Sequence, residues 1–206
     1  MKIESPLKNK KVGVPFKHDF TGHPVRGAFY TLFDNKHCGV DFNIEEGTKI
    51  FAAHPGIVVR REFHGGMGKV LGIRNGNIVT LYAHLNKFEV GLGDTVNTGD
   101  LVGLSGWTGN ACPEPHLHFE IRDLTKPALK EMVFDPPFGN ELSNFKSTFT
   151  YKVNNTNTRK TFRSLAERYF GHDKYWKKLK ETNPSLNPDP KELIPDGTEV
   201  VIPNYH

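Results

Sequence analysis

Between about residues 12 and 122, apolar and polar side chains alternate in short runs broken by turn residues. Alternation with period two puts every second side chain on one face of an extended strand. Thr48–Phe51, Gly56–Phe63, Lys69–Arg74, Asn77–Tyr82, Leu101–Leu104 and His116–Arg122 are therefore predicted as strands. Asn75-Gly76 divides two of them, and a tight two-residue turn needs the positive φ this pair tolerates. Gly65-Gly66-Met67-Gly68 marks a second permissive loop. The expectation is a mainly β unit of antiparallel sheets, with a cleft lined from separated strands.

The period changes further on. Residues 135–148, opening Asp135-Pro136-Pro137-Phe138-Gly139-Asn140, have linker composition. Phe149–Val153 is predicted as a strand. Thr161 is placed to cap a helix carrying Phe162, Leu165, Ala166 and Tyr169 at helical spacing, with Gly171 as its stop. Asp173 opens a second helix with Tyr175, Trp176 and Leu179, ending near Asn183-Pro184, and a turn at Pro195-Asp196-Gly197 leads into a last strand, Thr198–Pro203. The chain thus divides into a β unit over residues 1–134 (core 12–134), a linker over 135–148 and a small α+β unit over 149–206.

Composition adds boundaries rather than answers. No apolar run reaches the 18 or so residues of a membrane span, and Met1 to Lys11 lacks the apolar segment of a signal peptide. Two cysteines are too few for a disulfide scaffold. Net charge is +4, of which +3 falls in residues 149–206. That bias suits an anionic polymer such as a cell wall and is equally common on ordinary soluble proteins, so alone it decides nothing.

The chemistry sits in His37, Asp41, His84, His116 and His118. Two imidazoles and one carboxylate make a common catalytic zinc shell with a fourth position open for water, and two further imidazoles remain to manage protons. In the strand 116–122, His116, His118, Glu120 and Arg122 share one face, while Leu117, Phe119 and Ile121 form the apolar one. Each fragment by itself is weak: His-x-His is often a surface pair, and His-x-x-x-Asp recurs by chance. Their joint arrival is the signal, and it reads as metal-assisted hydrolysis.

Residues 37–122 resemble the lysostaphin/LytM-type zinc endopeptidases that cut cell-wall peptides. The carriers are His37-x-Gly39-Val40-Asp41-Phe42, Gly47-Thr48-Lys49-Ile50-Phe51-Ala52-Ala53-x-Pro55-Gly56-Ile57-Val58, Tyr82-Ala83-His84-Leu85, Gly93-Asp94-Thr95-Val96, Gly103-Leu104-Ser105-Gly106-x-Thr108-Gly109 and Pro115-His116-Leu117-His118-Phe119-Glu120. The resemblance implies one zinc ion held by His37, Asp41 and His118, with His84 and His116 as the catalytic histidines and the general base undecided between them. Glu120 is either an orienting group behind a ligand or a solvated strand carboxylate, the latter favoured; Tyr82 is expected as a packed aromatic. Asn110-Ala111-Cys112-Pro113-Glu114-Pro115 departs from the family's Gly-rich loop, so a stiffer cleft rim is expected. Cys38 and Cys112 are left as a disulfide or two free thiols. His18, His23, His54, His64, His172 and His206 match no motif and are expected at the surface.

Residues 149–204 resemble a LysM domain, a βααβ unit that binds N-acetylglucosamine-containing glycans. Tyr151-x-Val153, Thr161-Phe162-x-x-Leu165-Ala166-x-x-Tyr169-Phe170-Gly171, Trp176-x-x-Leu179, Asn183-Pro184 and Val200-Val201-Ile202-Pro203 carry that likeness. The family's Gly-Asp-Thr turn is replaced by Asn154 to Lys160, which weakens the expectation of sugar binding. Together the two likenesses imply a monomeric zinc metalloendopeptidase acting on peptidoglycan stems or crosslinks, at the wall or in the periplasm, with an export route the sequence does not display. No nucleic-acid partner is implied. The rivals are a non-enzymatic wall-binding scaffold, which retention of all five site residues argues against, and a zinc endopeptidase for Gly-rich proteins.

Overall fold

The computed structural model describes residues 1–8, 11–24, 26–154, 160–186 and 189–204. Strand β1 (Lys2–Ile3) is followed by a single helical turn, α1 (Arg26–Phe29), and then by β2 (Val40–Asn43), β3 (Lys49–Phe51), β4 (Gly56–His64), β5 (Gly68–Asn75) and β6 (Ile78–Phe88). Next come β7 (Thr95–Val96), β8 (Leu101–Ser105), β9 (His116–Asp123), the short α2 (Leu129–Met132) and β10 (Asn140–Glu141). The chain ends with β11 (Phe149–Lys152), α3 (Phe162–Phe170), α4 (Trp176–Thr182) and β12 (Glu199–Ile202).

Eight strands form one antiparallel sheet in the order β2-β9-β6-β5-β4-β7, with β8 pairing both β3 and β6. The predicted hairpin is present, displaced by one residue: Asn75 pairs with Ile78, so Gly76 and Asn77 are the turn. Gly76 has φ +55°, the positive value such a turn demands of its first central residue. Asn77 is held inside by Asp123, Asn144 and Lys146.

Strand β6 runs well past the predicted end at Tyr82. At His84 the backbone takes φ +60°, the chain bends, and the strand continues to pair with β8 through Leu85 and Ser105. Alternation alone does not survive such a bend, which is why the pattern stopped there. On β9 the alternation holds: Leu117, Phe119 and Ile121 lie in the main apolar core with Val40, Phe42, Ile50, Leu71 and Tyr82, while the opposite face carries the polar set. Tyr82 is a packed aromatic, its hydroxyl accepting from the Ala53 N–H at 2.8 Å.

Two expectations are corrected here. The segment 135–148 is packed rather than free: β10 pairs with β1, and Leu142, Phe138 and Phe145 pack into or against the main core. Its Pro and Gly content reflects turns, and its apolar residues have a core to enter. His54, expected at the surface, is wholly buried, where its Nδ1 donates to the Pro55 carbonyl and its Nε2 meets the Thr80 hydroxyl. His18, His23, His64 and His172 are exposed; His206 lies outside the described residues.

The C-terminal segment shows strand, helix, helix and strand as its periodicity predicts, with β11 and β12 paired antiparallel. Thr161 caps α3 in a reciprocal box with Ser164, and Gly171 at φ +75° closes it. A 3₁₀ turn at Asp173–Tyr175 precedes α4, so the second helix begins later than expected. Phe162, Leu165, Ala166, Phe170, Leu179, Val200 and Ile202 form a second core. The segment docks on the sheet through Arg74 of β5, which donates to the carbonyls of Tyr169, Gly76 and Pro203 and lies 5.0 Å from the Phe170 ring. Of the replacement turn before α3, residues 155–159 lie outside the described residues.

Candidate metal centre and active site

Strand register builds the site. Asp41 on β2 pairs directly with His118 on β9, and His118 pairs on its other side with Ala83 of β6. His37 reaches the same point from the loop before β2, four residues ahead of Asp41. The turn between them requires Gly39, because a Cβ there would collide with the Phe119 carbonyl and meet the His118 ring at 3.0 Å.

Three donor atoms converge. His37 Nε2 lies 3.0 Å from Asp41 Oδ1 and 3.1 Å from His118 Nδ1, and His118 Nδ1 lies 2.8 Å from the same carboxylate oxygen. Tetrahedral zinc with bonds of ~2.0–2.1 Å sets neighbouring donors about 3.3 Å apart, so the triangle fits such an ion within a few tenths of an ångström. The outer atoms agree. His37 Nδ1 donates to the Pro15 carbonyl at 3.0 Å, and His118 Nε2 to Glu120 at 3.0 Å, so each ring turns its other nitrogen toward the common point.

Glu120 is not the solvated carboxylate favoured from sequence. It is 2% exposed, bonded to His118, to the Cys38 thiol at 3.1 Å and to Arg122 through Nε and Nη2. Burial opposes its charge, but the Arg122 guanidinium and His118 hold its carboxyl well below the usual range. Asp41 behaves alike: burial opposes ionisation, and hydrogen bonds from His118 and His37 outweigh it.

His116 and His84 stand beside this triangle. His116 Nδ1 donates to the Glu114 carbonyl at 2.8 Å, and its Nε2 is 3.9 Å from Asp41 Oδ2. His84 Nδ1 donates to the Thr108 carbonyl at 2.8 Å, and its backbone N–H to Met67 at 2.9 Å. These two bonds hold a bulky residue in the left-handed region, which costs on the order of 1 kcal/mol or more. The two rings are 4.6 Å apart. Burial lowers the pKa of His116, and burial together with the charges of His118 and His116 pushes His84 down to about 3. Both are neutral imidazoles at pH 7, each with a bare Nε2 able to accept a proton.

All five residues named from sequence are brought together, each at most 4% exposed. Both cysteines are free and buried, so the disulfide alternative is set aside. Burial pushes the Cys38 thiol up to about 12 and the Cys112 thiol up to about 11. Sequence reasoning missed Tyr30, which stacks on Phe20 at 5.1 Å and stands edge-on to His37 at 5.4 Å. It also missed the Pro15 carbonyl. Neither carries a sequence signal, since an aromatic beside Phe29 and a proline in a loop are ordinary.

A triangle of this kind is the mark of metal-dependent hydrolases. Residues 35–130 match the model of peptidase family M23. An uncharacterised metalloprotease of Haemophilus influenzae is 37% identical over 119 residues, covering 56% of this chain and 24% of that protein. The peptidoglycan DD-endopeptidase ShyA of Vibrio cholerae is 40% identical over 86 residues, covering 41% of this chain and 20% of ShyA. Among solved structures, the catalytic domain of lysostaphin from Staphylococcus simulans superposes with a TM-score of 0.52 at 29% identity, covering 62% of this chain and 90% of that one. A zinc-containing peptidase from Vibrio cholerae gives 0.54 at 27%, covering 68% and 40%. The chain spans about a quarter of the length of the curated relatives it matches.

Proposed function

We propose that the protein is a zinc metalloendopeptidase that hydrolyses peptide bonds in peptidoglycan stems or crosslinks. The observation that carries this reading is the convergence of His37 Nε2, Asp41 Oδ1 and His118 Nδ1 beside two neutral imidazoles. One zinc ion held by those three would supply a polarised water and Lewis-acid assistance to the scissile carbonyl. Glu120, clamped by Arg122, fixes the orientation of His118. His116 and His84 face the reacting groups with bare Nε2 atoms: one takes a proton from the attacking water and returns it to the leaving amine, while the other steadies developing charge. The near-complete burial of all five residues keeps bulk water from competing for these hydrogen bonds.

Residues 1–134 act as the catalytic unit and residues 149–206 as a LysM-like module for N-acetylglucosamine-containing glycan. Support for the module is its strand-helix-helix-strand order and its own core. The working form is a monomer acting at the cell wall or in the periplasm, in keeping with the wall-directed name of ShyA. The deciding experiment is mass spectrometry of purified peptidoglycan digested by the zinc-loaded protein, with a chelated control. New peptide termini that vanish on chelation are expected and would name the bond. Intact peptides with zinc bound would overturn the reading in favour of a scaffold or a non-wall substrate.

A further inference from the structure

The loop between β8 and β9 places one group against the catalytic pair that the hydrolysis does not use. Cys112, 6% exposed, sits with its Sγ 3.4 Å from His116 Nδ1 and 3.2 Å from the Glu114 carbonyl oxygen. That oxygen is itself 2.8 Å from His116 Nδ1. One ligand atom from each of Cys112, His116 and His84 lies within 4.8 Å of the others. In tetrahedral zinc, bonds of ~2.3 Å to sulfur and ~2.0–2.1 Å to nitrogen set S···N at roughly 3.5 Å. The sulfur–nitrogen edge is thus already at coordination distance. His84 supplies the third ligand atom within that limit, and the Glu114 carbonyl stands beside the sulfur–nitrogen edge.

We propose that Cys112, His116 and His84 form a second, inhibitory site for zinc or another thiophilic divalent ion. The inference rests on the catalytic roles given above to His84 and His116. Thiolate with imidazole selects soft and borderline ions such as zinc, whereas the His37, Asp41 and His118 set offers no sulfur. On binding, the Cys112 S–H proton leaves to solvent and a metal–thiolate bond forms. On His116 the proton moves from Nδ1 to Nε2 as Nδ1 takes the ion, and the Glu114 carbonyl exchanges its two donors for the cation. His116 Nε2, now protonated, no longer accepts a proton from water. The protein would therefore need one equivalent of metal for turnover and be shut down by a second.

Cobalt(II) separates the two sites, because only the second contains a thiolate. The full chain, stripped of metal, is titrated with cobalt while the near-ultraviolet thiolate-to-cobalt charge-transfer band and peptidoglycan hydrolysis are followed. The expected course is activity without the band during the first equivalent. The band then grows with the second equivalent as hydrolysis falls at least about tenfold. Cys112→Ser should lose the band and keep its activity through the second equivalent, and Cys112→Ala serves if the serine variant folds poorly. His118→Ala, which dismantles the first site, should retain the band although inactive. A first equivalent that supports turnover, followed by a second giving neither band nor inhibition, would overturn this inference and leave the catalytic reading standing. A band with no activity at any loading would uphold the thiolate site and sink the catalytic reading.

Discussion

The cleft and the docking face behind it both bury charge, and they satisfy it by opposite means. In the cleft, Asp41 and Glu120 are ringed by side chains that themselves titrate or donate: His37, His118, Cys38 and Arg122. At the docking face Arg74, 2% exposed, is met by three backbone carbonyls and one aromatic ring, and no carboxylate pairs with it among the described residues. Burial lowers its pKa only to about 10, so it stays charged. Side-chain partners can exchange protons or hand over to an ion, whereas carbonyls fixed by secondary structure can only hold. Chemistry is thus built from the first kind of partner and attachment from the second.

The largest effects should come from breaking the cleft. His118→Ala is expected to lose both metal and hydrolysis. His116→Ala should keep metal while turnover falls by about 10²–10⁴-fold, with zinc content and kinetics measured on the same preparations. Metal retention with full activity in the His118 variant would sink the ligand assignment.

At the docking face, Arg74→Ala strands carbonyls of Tyr169, Gly76 and Pro203 and should cost about 3 kcal/mol in denaturant unfolding. Metal affinity should stay intact, since Arg74 touches nothing in the cleft. His54 sharpens the contrast through pH. Burial pushes it down to about 4, while the unfolded chain titrates near 6.5. The unfolded state therefore binds the proton first. Stability is full above pH 6.5 and falls by about 3 kcal/mol as pH drops to about 4. Thermal melts from pH 7 to 4 should show that slope, and His54→Gln should flatten it. The smallest effect belongs to the partner behind His118: Glu120→Gln should weaken zinc roughly 10- to 100-fold in chelator competition without unfolding the sheet.

The alternation of β9 displayed both the core face and the ligand face because a strand is periodic and both faces are used. Thr161 and Gly171 bounded α3 because capping is local chemistry. His84 showed what alternation cannot carry: its reach depends on a left-handed bend held by Met67 and Thr108, residues 17 and 24 positions away. Glu120, His54 and the segment 135–148 were misjudged for the same reason. Polar or Pro-rich residues look solvated until distant partners such as Arg122, Thr80 and β1 are known.

The sheet's edge carries one more consequence. Beyond β2, among the described residues, the chain adds one isolated bridge to that strand, Val14 to Asp41, while β9 lies between β2 and β6. Two of the three donors therefore ride on a border able to fray, and the third on a strand that opens only with the whole sheet. An ion at their meeting point would act as a rivet across that seam. Hydrogen exchange in residues 12–43 should slow on metal loading while β9 hardly changes, so the ion could depart through a local breath of the border with the rest of the fold intact.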